Sequence, residues 1–119
     1  MKGEEIYEKT LIELGKFKFS RNSMGYEYLV EAIVIVSQDK QTIKDFSTYV
    51  YSKIGRKYDV KAQNVQWCIT KIINLMYLNT EKSVIENYFH LFYHERPSTK
   101  AFIIGVARNV VRKGQEIYY

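Results

Sequence analysis

The sequence predicts an all-α domain of about six helices, and three observations support that fold class. Apolar residues recur at spacings of three and four through most of the 119 residues, which is the period of an amphipathic helix. Proline occurs once, so the helical patterns run uninterrupted. The chain is 46% hydrophobic and 15% aromatic, which is enough to form a core without disulfides. We expect a single domain over residues 1–119.

The first predicted helix lies in "EEIYEKTLIELG", where Ile6, Tyr7, Leu11 and Leu14 share a face. Gly15 is a typical residue after a helix C-terminus. The following "KFKFSRN" alternates charged and aromatic residues, which fits either a short extended segment or an ordered loop. It is too short to begin a sheet.

The next two segments also have helical spacing. Ser23 is a suitable N-cap for a helix in "MGYEYLVEAIVIVSQD", whose predicted buried face holds Tyr26, Leu29, Ile33 and Val36. In "TIKDFSTYVYSKIGRKY", Thr42 is the candidate cap for either one helix or two short ones broken near Tyr51 and Ser52. The apolar positions of this segment are Ile43, Phe46, Val50 and Ile54.

Three further helices complete the prediction. "AQNVQWCITKIINLMYLN" has the longest helical pattern, with an apolar stripe of Val65, Cys68, Ile69, Ile72, Leu75 and Met76. "SVIENYFHLFY" predicts a short helix that Pro97 stops. The last helix lies in "STKAFIIGVARNVVRK", with Ser98 or Thr99 as cap and a buried face of Phe102, Ile103, Val106 and Val110.

The segment "IGRKYDVKAQNVQWCI" has the pattern of a helix-turn-helix, which we place at about residues 51–78. Gly55 supplies the small residue where the second helix crosses closely, and Tyr58 ends the first helix. Asp59 lies at the turn, and Asp is among the non-glycine residues that best tolerate positive φ. Val60 follows as an apolar anchor, and Val65 with Cys68 or Ile69 faces the core.

The net charge of +5 is unevenly distributed along the chain. Residues 1–14 carry a net charge of −2, residues 40–61 a net charge of +4, and residues 96–113 a net charge of +5 with no acidic residue. Two basic zones suggest an anionic partner, with nucleic acid favoured over membrane, although a solvated face has the same composition.

Four blocks extend this pattern to a known family: "GYEYLVEAI", "YVYSKIGRKYDV", "NVQWCITKII" and "RPSTKAFI". In order and spacing they resemble the C-terminal DNA-binding effector domain of the master sporulation response regulator of endospore-forming bacteria, over about residues 5–113. The resemblance implies that the helix beginning near Ala62 enters the DNA major groove. It also implies that the last helix helps adjacent protomers associate on DNA.

The chain departs from this family where DNA is read. The family has an Arg and then Val-Glu-Arg on its reading face, and the corresponding positions here are Asn64, Gln66 and Trp67. A family Pro at the start of the first helix of the pair is Ser52. The family's regulator also carries a receiver domain, for which 119 residues leave no room. Of an excised effector domain and a free-standing paralogue, we expect the paralogue, since the chain begins at Met and lacks the usual reading residues.

These observations predict a transcriptional regulator that binds double-stranded DNA in the cytoplasm, is related to sporulation control and has altered operator specificity. The candidate groove-facing residues are Lys61, Gln63, Asn64, Gln66, Trp67, Thr70 and Lys71. The candidate phosphate contacts are Lys53, Arg56, Lys57, Arg96 and Lys100. Two copies associating on DNA would fit the resemblance. The alternative is a protein-interaction module that has lost operator binding and modulates a related regulator by hetero-association, with Trp67 as an anchor.

Other chemistries have weaker signals. His90 and His94, four apart and next to Glu95, could hold a metal on a helix, but no further ligand completes the set. Cys68 lies on the apolar stripe and is interpreted as a core residue. The eleven Tyr form no single stacking platform, and no phosphate-binding glycine loop or pair of catalytic carboxylates occurs. We expect neither an enzyme nor a cofactor. The N-terminus has no secretory h-region, and a lone Cys fits a reducing compartment.

Overall fold

A computed structural model describes the backbone of residues 2–91 and 95–116, with side chains in the same ranges as far as Arg112. These residues contain six α-helices and no strand, which confirms the predicted fold class. The helices are α1 (Gly3–Leu14), α2 (Met24–Gln38), α3 (Ser52–Tyr58), α4 (Ala62–Asn79), α5 (Lys82–Phe89) and α6 (Thr99–Glu116). A short 3-10 helix (Lys40–Ile43) and a π-helical segment (Ser47–Tyr51) lie between α2 and α3.

Helix α2 lies at the centre and packs against α1, α4 and α6. All four of its predicted core residues are buried, as are the four predicted for α6. Ser23 caps α2 as predicted, because its side chain accepts a hydrogen bond from the backbone N–H of Tyr26. Ser98, rather than Thr99, caps α6 by accepting a hydrogen bond from the backbone N–H of Ala101 over 3.2 Å.

The segment before α3 corrects part of the sequence prediction. The chain changes helix type at Tyr51 and Ser52, where a break was expected, but the piece before the break consists of 3-10 and π turns. Thr42 is not its cap, because the Asp39 carboxylate accepts a hydrogen bond from the backbone N–H of Gln41. A π-helical turn rotates the following side chains away from the α-helical period, and Phe46 and Val50 are both buried across it.

Three further details differ from the prediction. Tyr7 and Leu75 are half-exposed, whereas Thr10 and Glu13 are buried on the inner face of α1. Helix α5 ends at Phe89, with His90 in the left-handed region at φ 56°. Its stop therefore lies well before Pro97, and the predicted last residues of this helix, 92–93, lie outside the described residues.

Candidate nucleic-acid interface

The turn between α3 and α4 has the geometry of a helix-turn-helix. Asp59 adopts the left-handed conformation, with φ 56° and ψ 48°, and its backbone N–H donates to the carbonyl oxygen of Gly55. The N–H of Val60 donates to the same carbonyl oxygen over 2.9 Å. A Cβ on Gly55 would lie 2.6 Å from the Val60 carbonyl oxygen, so the close crossing requires glycine.

Helix α4 is fixed to the core along one side. Val65 and Ile69 are fully buried, as predicted, and the backbone of Gly25 in α2 lies close to the carbonyl group of Cys68. Cys68 itself is only half-buried, so its placement in the core is only partly right. Its thiol lies 3.7 Å from the Asn64 Oδ1 atom, at the border between the core side and the outer side of α4.

The outer side of α4 carries the residues predicted to face the DNA groove. All of these except Thr70 are exposed: Lys61, Gln63, Asn64, Gln66, Trp67 and Lys71. Thr70 is half-buried, and its hydroxyl shares a 2.9 Å hydrogen bond with the hydroxyl of Thr99. That hydrogen bond joins the middle of α4 to the beginning of α6.

Trp67 is the largest apolar side chain on this face, and 61% of it is exposed. The Lys71 ammonium lies 5.0 Å from its ring centroid, which is a cation–π contact. Leu75 and Leu78, which follow at helical spacing, are 48% and 72% exposed. The first half of the outer face of α4 is therefore polar around one indole, and the second half combines two exposed leucines with the polar side chains of Asn74 and Asn79.

The five predicted phosphate contacts are all exposed but lie in different surroundings. Lys53 and Lys57 line a groove together with Glu31 of α2 and Tyr7 of α1. Lys57 forms an ion pair with Glu31, and the hydrogen bond between them raises the pKa of Lys57. Because its charge is already paired, Lys57 should contribute less electrostatic attraction to a DNA phosphate than an unpaired lysine.

Arg96 and Lys100 are held near α4 by aromatic side chains. The Arg96 guanidinium lies 5.5 Å from the Tyr77 ring centroid, and the Tyr77 hydroxyl donates to the carbonyl oxygen of Pro97 over 2.8 Å. The Lys100 ammonium lies 5.6 Å from the ring centroid of Phe46. Lys100 also lines a groove with Gln66, so this basic residue and the groove-facing side of α4 belong to one surface.

Sequence reasoning missed one cation of that surface. Lys44 lines the same groove as Gln66 and Lys100, although it precedes the helix pair in sequence. It belongs to the basic zone of residues 40–61, which was the only signal for it. Helical periodicity could not relate it to α4 because the turns between them are irregular.

Only one residue of the candidate histidine pair lies in the described part of the chain. His90 ends α5 in the left-handed conformation, and His94 lies outside the described residues. No group of three or more His, Cys, Asp or Glu residues suited to a metal ion occurs in ranges 2–91 and 95–112. Among the described helices, none is both long and apolar enough to span a membrane.

The tight turn at Asp59, the anchored core side of α4 and its exposed polar side define a helix-turn-helix domain of the all-α class. The family model described as "Sporulation initiation factor Spo0A C terminal" matches residues 9–110, and the chain belongs to this family. This confirms the resemblance of the four sequence blocks. The family is one of DNA-binding transcription-factor domains that bind double-stranded DNA and is not an enzyme family. No curated protein matches the chain.

Proposed function

We propose that this chain is a sequence-specific transcriptional regulator that reads double-stranded DNA through the exposed face of α4. The observation that carries the proposal is the exposure of Gln63, Asn64, Gln66 and Trp67 directly after the helix-turn-helix turn. In this motif the N-terminal residues of the second helix contact base edges in the major groove. Such a regulator acts on the chromosome, and we place it in the cytoplasm.

The proposed reading face has no arginine, and this changes which bases it favours. Arg pairs bidentately with guanine, whereas Asn and Gln pair with the N6 and N7 positions of adenine. The family's two Arg correspond to Asn64 and Trp67, and its Glu corresponds to Gln66. The indole of Trp67 can contact thymine methyl groups but cannot accept a hydrogen bond. We therefore expect a preference shifted toward A·T pairs and weaker discrimination overall.

Selection from random duplex DNA tests this function. The expected result is an A·T-rich motif that is lost in Gln66→Ala and retained in Asn74→Ala, which removes an exposed amide from the far half of the same helix. Recovery of a G·C-containing motif would contradict the proposed readout. Recovery of no motif would contradict sequence-specific binding.

A second function is favoured by the large apolar side chains on the outer face of α4. Trp67, Leu75 and Leu78 form an exposed series of large apolar side chains, which is typical of a protein contact. In this alternative the domain keeps the fold and modulates a related regulator by hetero-association. This alternative predicts that the chain does not bind duplex DNA at low salt and that it co-sediments with a full-length regulator of the family. Trp67→Ala should abolish the co-sedimentation. Tyr49→Ala, which removes an exposed aromatic side chain from another segment, should leave the co-sedimentation intact. Duplex binding without co-sedimentation would exclude it.

A further inference from the structure

A groove beside α4 carries charges that the proposed reading face does not use. We call it the Lys44–Lys100 groove, after the two lysines that line it. Asp45, Phe46, Gln66 and Thr70 also line it. It therefore connects the turns before α3, the middle of α4 and the beginning of α6.

The walls of this groove are fixed by contacts within the domain. The Thr70 and Thr99 hydroxyls share a hydrogen bond, which holds the residue before Lys100 against α4. The Lys100 ammonium lies 5.6 Å from the Phe46 ring centroid, so its side chain extends toward the turn that carries Lys44. The backbone N–H of Lys44 donates to the carbonyl oxygen of Gln41, which fixes that turn.

The two ammonium groups are available to a ligand. Within the described part of the chain, neither Lys44 nor Lys100 forms an ion pair, in contrast to Lys57, which pairs with Glu31. Asp45 is the one carboxylate among the groove's described lining residues, so two cations face one anion. The groove therefore has an excess positive charge next to Gln66, a proposed base-reading residue.

We infer that the Lys44–Lys100 groove binds a backbone phosphate of the duplex whose major groove α4 reads, and that Lys44 is an additional DNA-contacting residue. This inference rests on the proposed function. The strands that border the major groove carry the phosphates nearest to a helix inserted in it. Since Gln66 and the two lysines line one groove, a duplex in contact with Gln66 brings its backbone to Lys44 and Lys100. The carboxylate of Asp45 opposes this contact.

Salt dependence of duplex affinity tests the inference in the full chain. Each phosphate contact contributes about −0.9 to the slope of log affinity against log salt concentration. Lys44→Gln should make this slope less steep by about 1 and lower affinity about fivefold near physiological salt, equally for all sequences. Lys44→Arg should retain both values, and Asp45→Asn should raise affinity. Lys82→Gln, which removes an exposed lysine from α5, is the matched control.

The outcomes separate this inference from the function on which it rests. A Lys44→Gln slope equal to that of Lys82→Gln, with wild-type binding to the selected motif, overturns the inference alone. A wild-type chain that binds no duplex overturns both. Thermal denaturation of each variant checks folding. Because Lys44 is exposed, the melting temperature of the Lys44→Gln variant should match that of the wild type. If Lys44→Gln were destabilised, Asp45→Asn would still decide the result, because a duplex affinity no higher than that of the wild type would overturn the inference.

Discussion

The backbone N–H of Val60 donates a hydrogen bond to the carbonyl oxygen of Gly55, and the carbonyl oxygen of Val60 occupies the space that a side chain on Gly55 would need. The two residues thus approach each other through backbone atoms where α3 and α4 cross. Backbone atoms cannot move aside as a flexible side chain can. A methyl group on Gly55 would therefore have to shift the turn that leads into α4, the helix that carries the proposed reading face.

Gly55→Ala should destabilise the domain by about 1–3 kcal/mol, the usual cost of overpacking a close contact. Denaturation by urea measures the change in the free energy of unfolding. The control is Gly3→Ala in the exposed first turn of α1, where a Cβ would lie 3.4 Å from a Gln38 side-chain atom. That substitution should be neutral or slightly stabilising. Equal stability of Gly55→Ala and wild type would disprove the close crossing.

Val65→Asp should unfold the domain, because Val65 is fully buried and an unpaired carboxylate in the core costs several kcal/mol. Circular dichroism at 25 °C should show the loss of helix. Gln63→Asp introduces the same carboxylate two residues earlier, on the exposed side of α4, and should remain folded. A folded Val65→Asp variant would show that the side of α4 assigned to the core is wrong.

Periodicity predicted the helices best where one side of a helix packs against the core throughout. In α2 and α6 every predicted core residue is buried. The pattern failed for Tyr7 and Leu75, which are apolar but lie at the edge of the buried stripe. It could not identify Glu13, whose buried carboxylate accepts a hydrogen bond from the Tyr88 hydroxyl over 2.8 Å. That contact joins residues 75 apart in sequence, and no local pattern reports it.

In the candidate site, too, local features could be predicted from the sequence, whereas contacts between distant segments could not. The turn at Asp59 could be predicted because Asp is one of the few non-glycine residues that readily adopt the left-handed backbone conformation found there. The exposed face of α4 followed from its helical period. The proximity of Lys44 to Lys100 could not be predicted from the sequence, because it depends on how the 3-10 and π turns pack beside the beginning of α6. The ion pair between Lys57 and Glu31 likewise depends on how α3 lies on α2.

Duplex affinity should fall with salt, with a log-log slope of about −4 to −5 if five cations contact phosphates. The structure sharpens this expectation for individual residues. Lys57→Gln should change the slope less than Lys100→Gln, since Lys57 is already paired with Glu31 and Lys100 lines the groove beside Gln66. Fluorescence anisotropy over a range of salt concentrations measures both slopes. A slope near zero for the wild type would favour the interaction module.

The stability of the domain should decrease as the pH rises from about 10 to 12. Burial raises the pKa of Tyr51 from 10.0 to about 12, so the unfolded chain loses this proton at lower pH than the native one. The stability that Tyr51 contributes is therefore complete below pH 10 and is lost as the pH rises through the pKa of the folded state. Urea denaturation between pH 8 and about 11.5 should show a shallower decline for Tyr51→Phe. Tyr49→Phe, the exposed neighbour, should follow the wild type, and an unchanged decline in Tyr51→Phe would refute the assignment.

Restoring arginine to the reading face should restore guanine recognition. Asn64 and Trp67 are both exposed on α4 and stand where the resembling family has Arg, so Arg side chains could extend from these positions without disturbing the core. Each bidentate contact between Arg and guanine gives about 1–3 kcal/mol of discrimination against other bases. In a selection from random duplex DNA, the double variant Asn64→Arg/Trp67→Arg should therefore exchange A·T pairs for G·C pairs in its motif.

The control for this change in base preference must add positive charge to α4 without adding a contact to the DNA bases. Asn74→Arg places the same guanidinium on the exposed far half of α4, and should raise affinity for all duplexes at low salt while leaving the selected motif unchanged. If the double variant behaved like Asn74→Arg, the added arginines would be acting on phosphates alone. The exposed N-terminal half of α4 would then not be the reading surface, and Trp67, with Leu75 and Leu78 behind it, would be better explained as a protein contact.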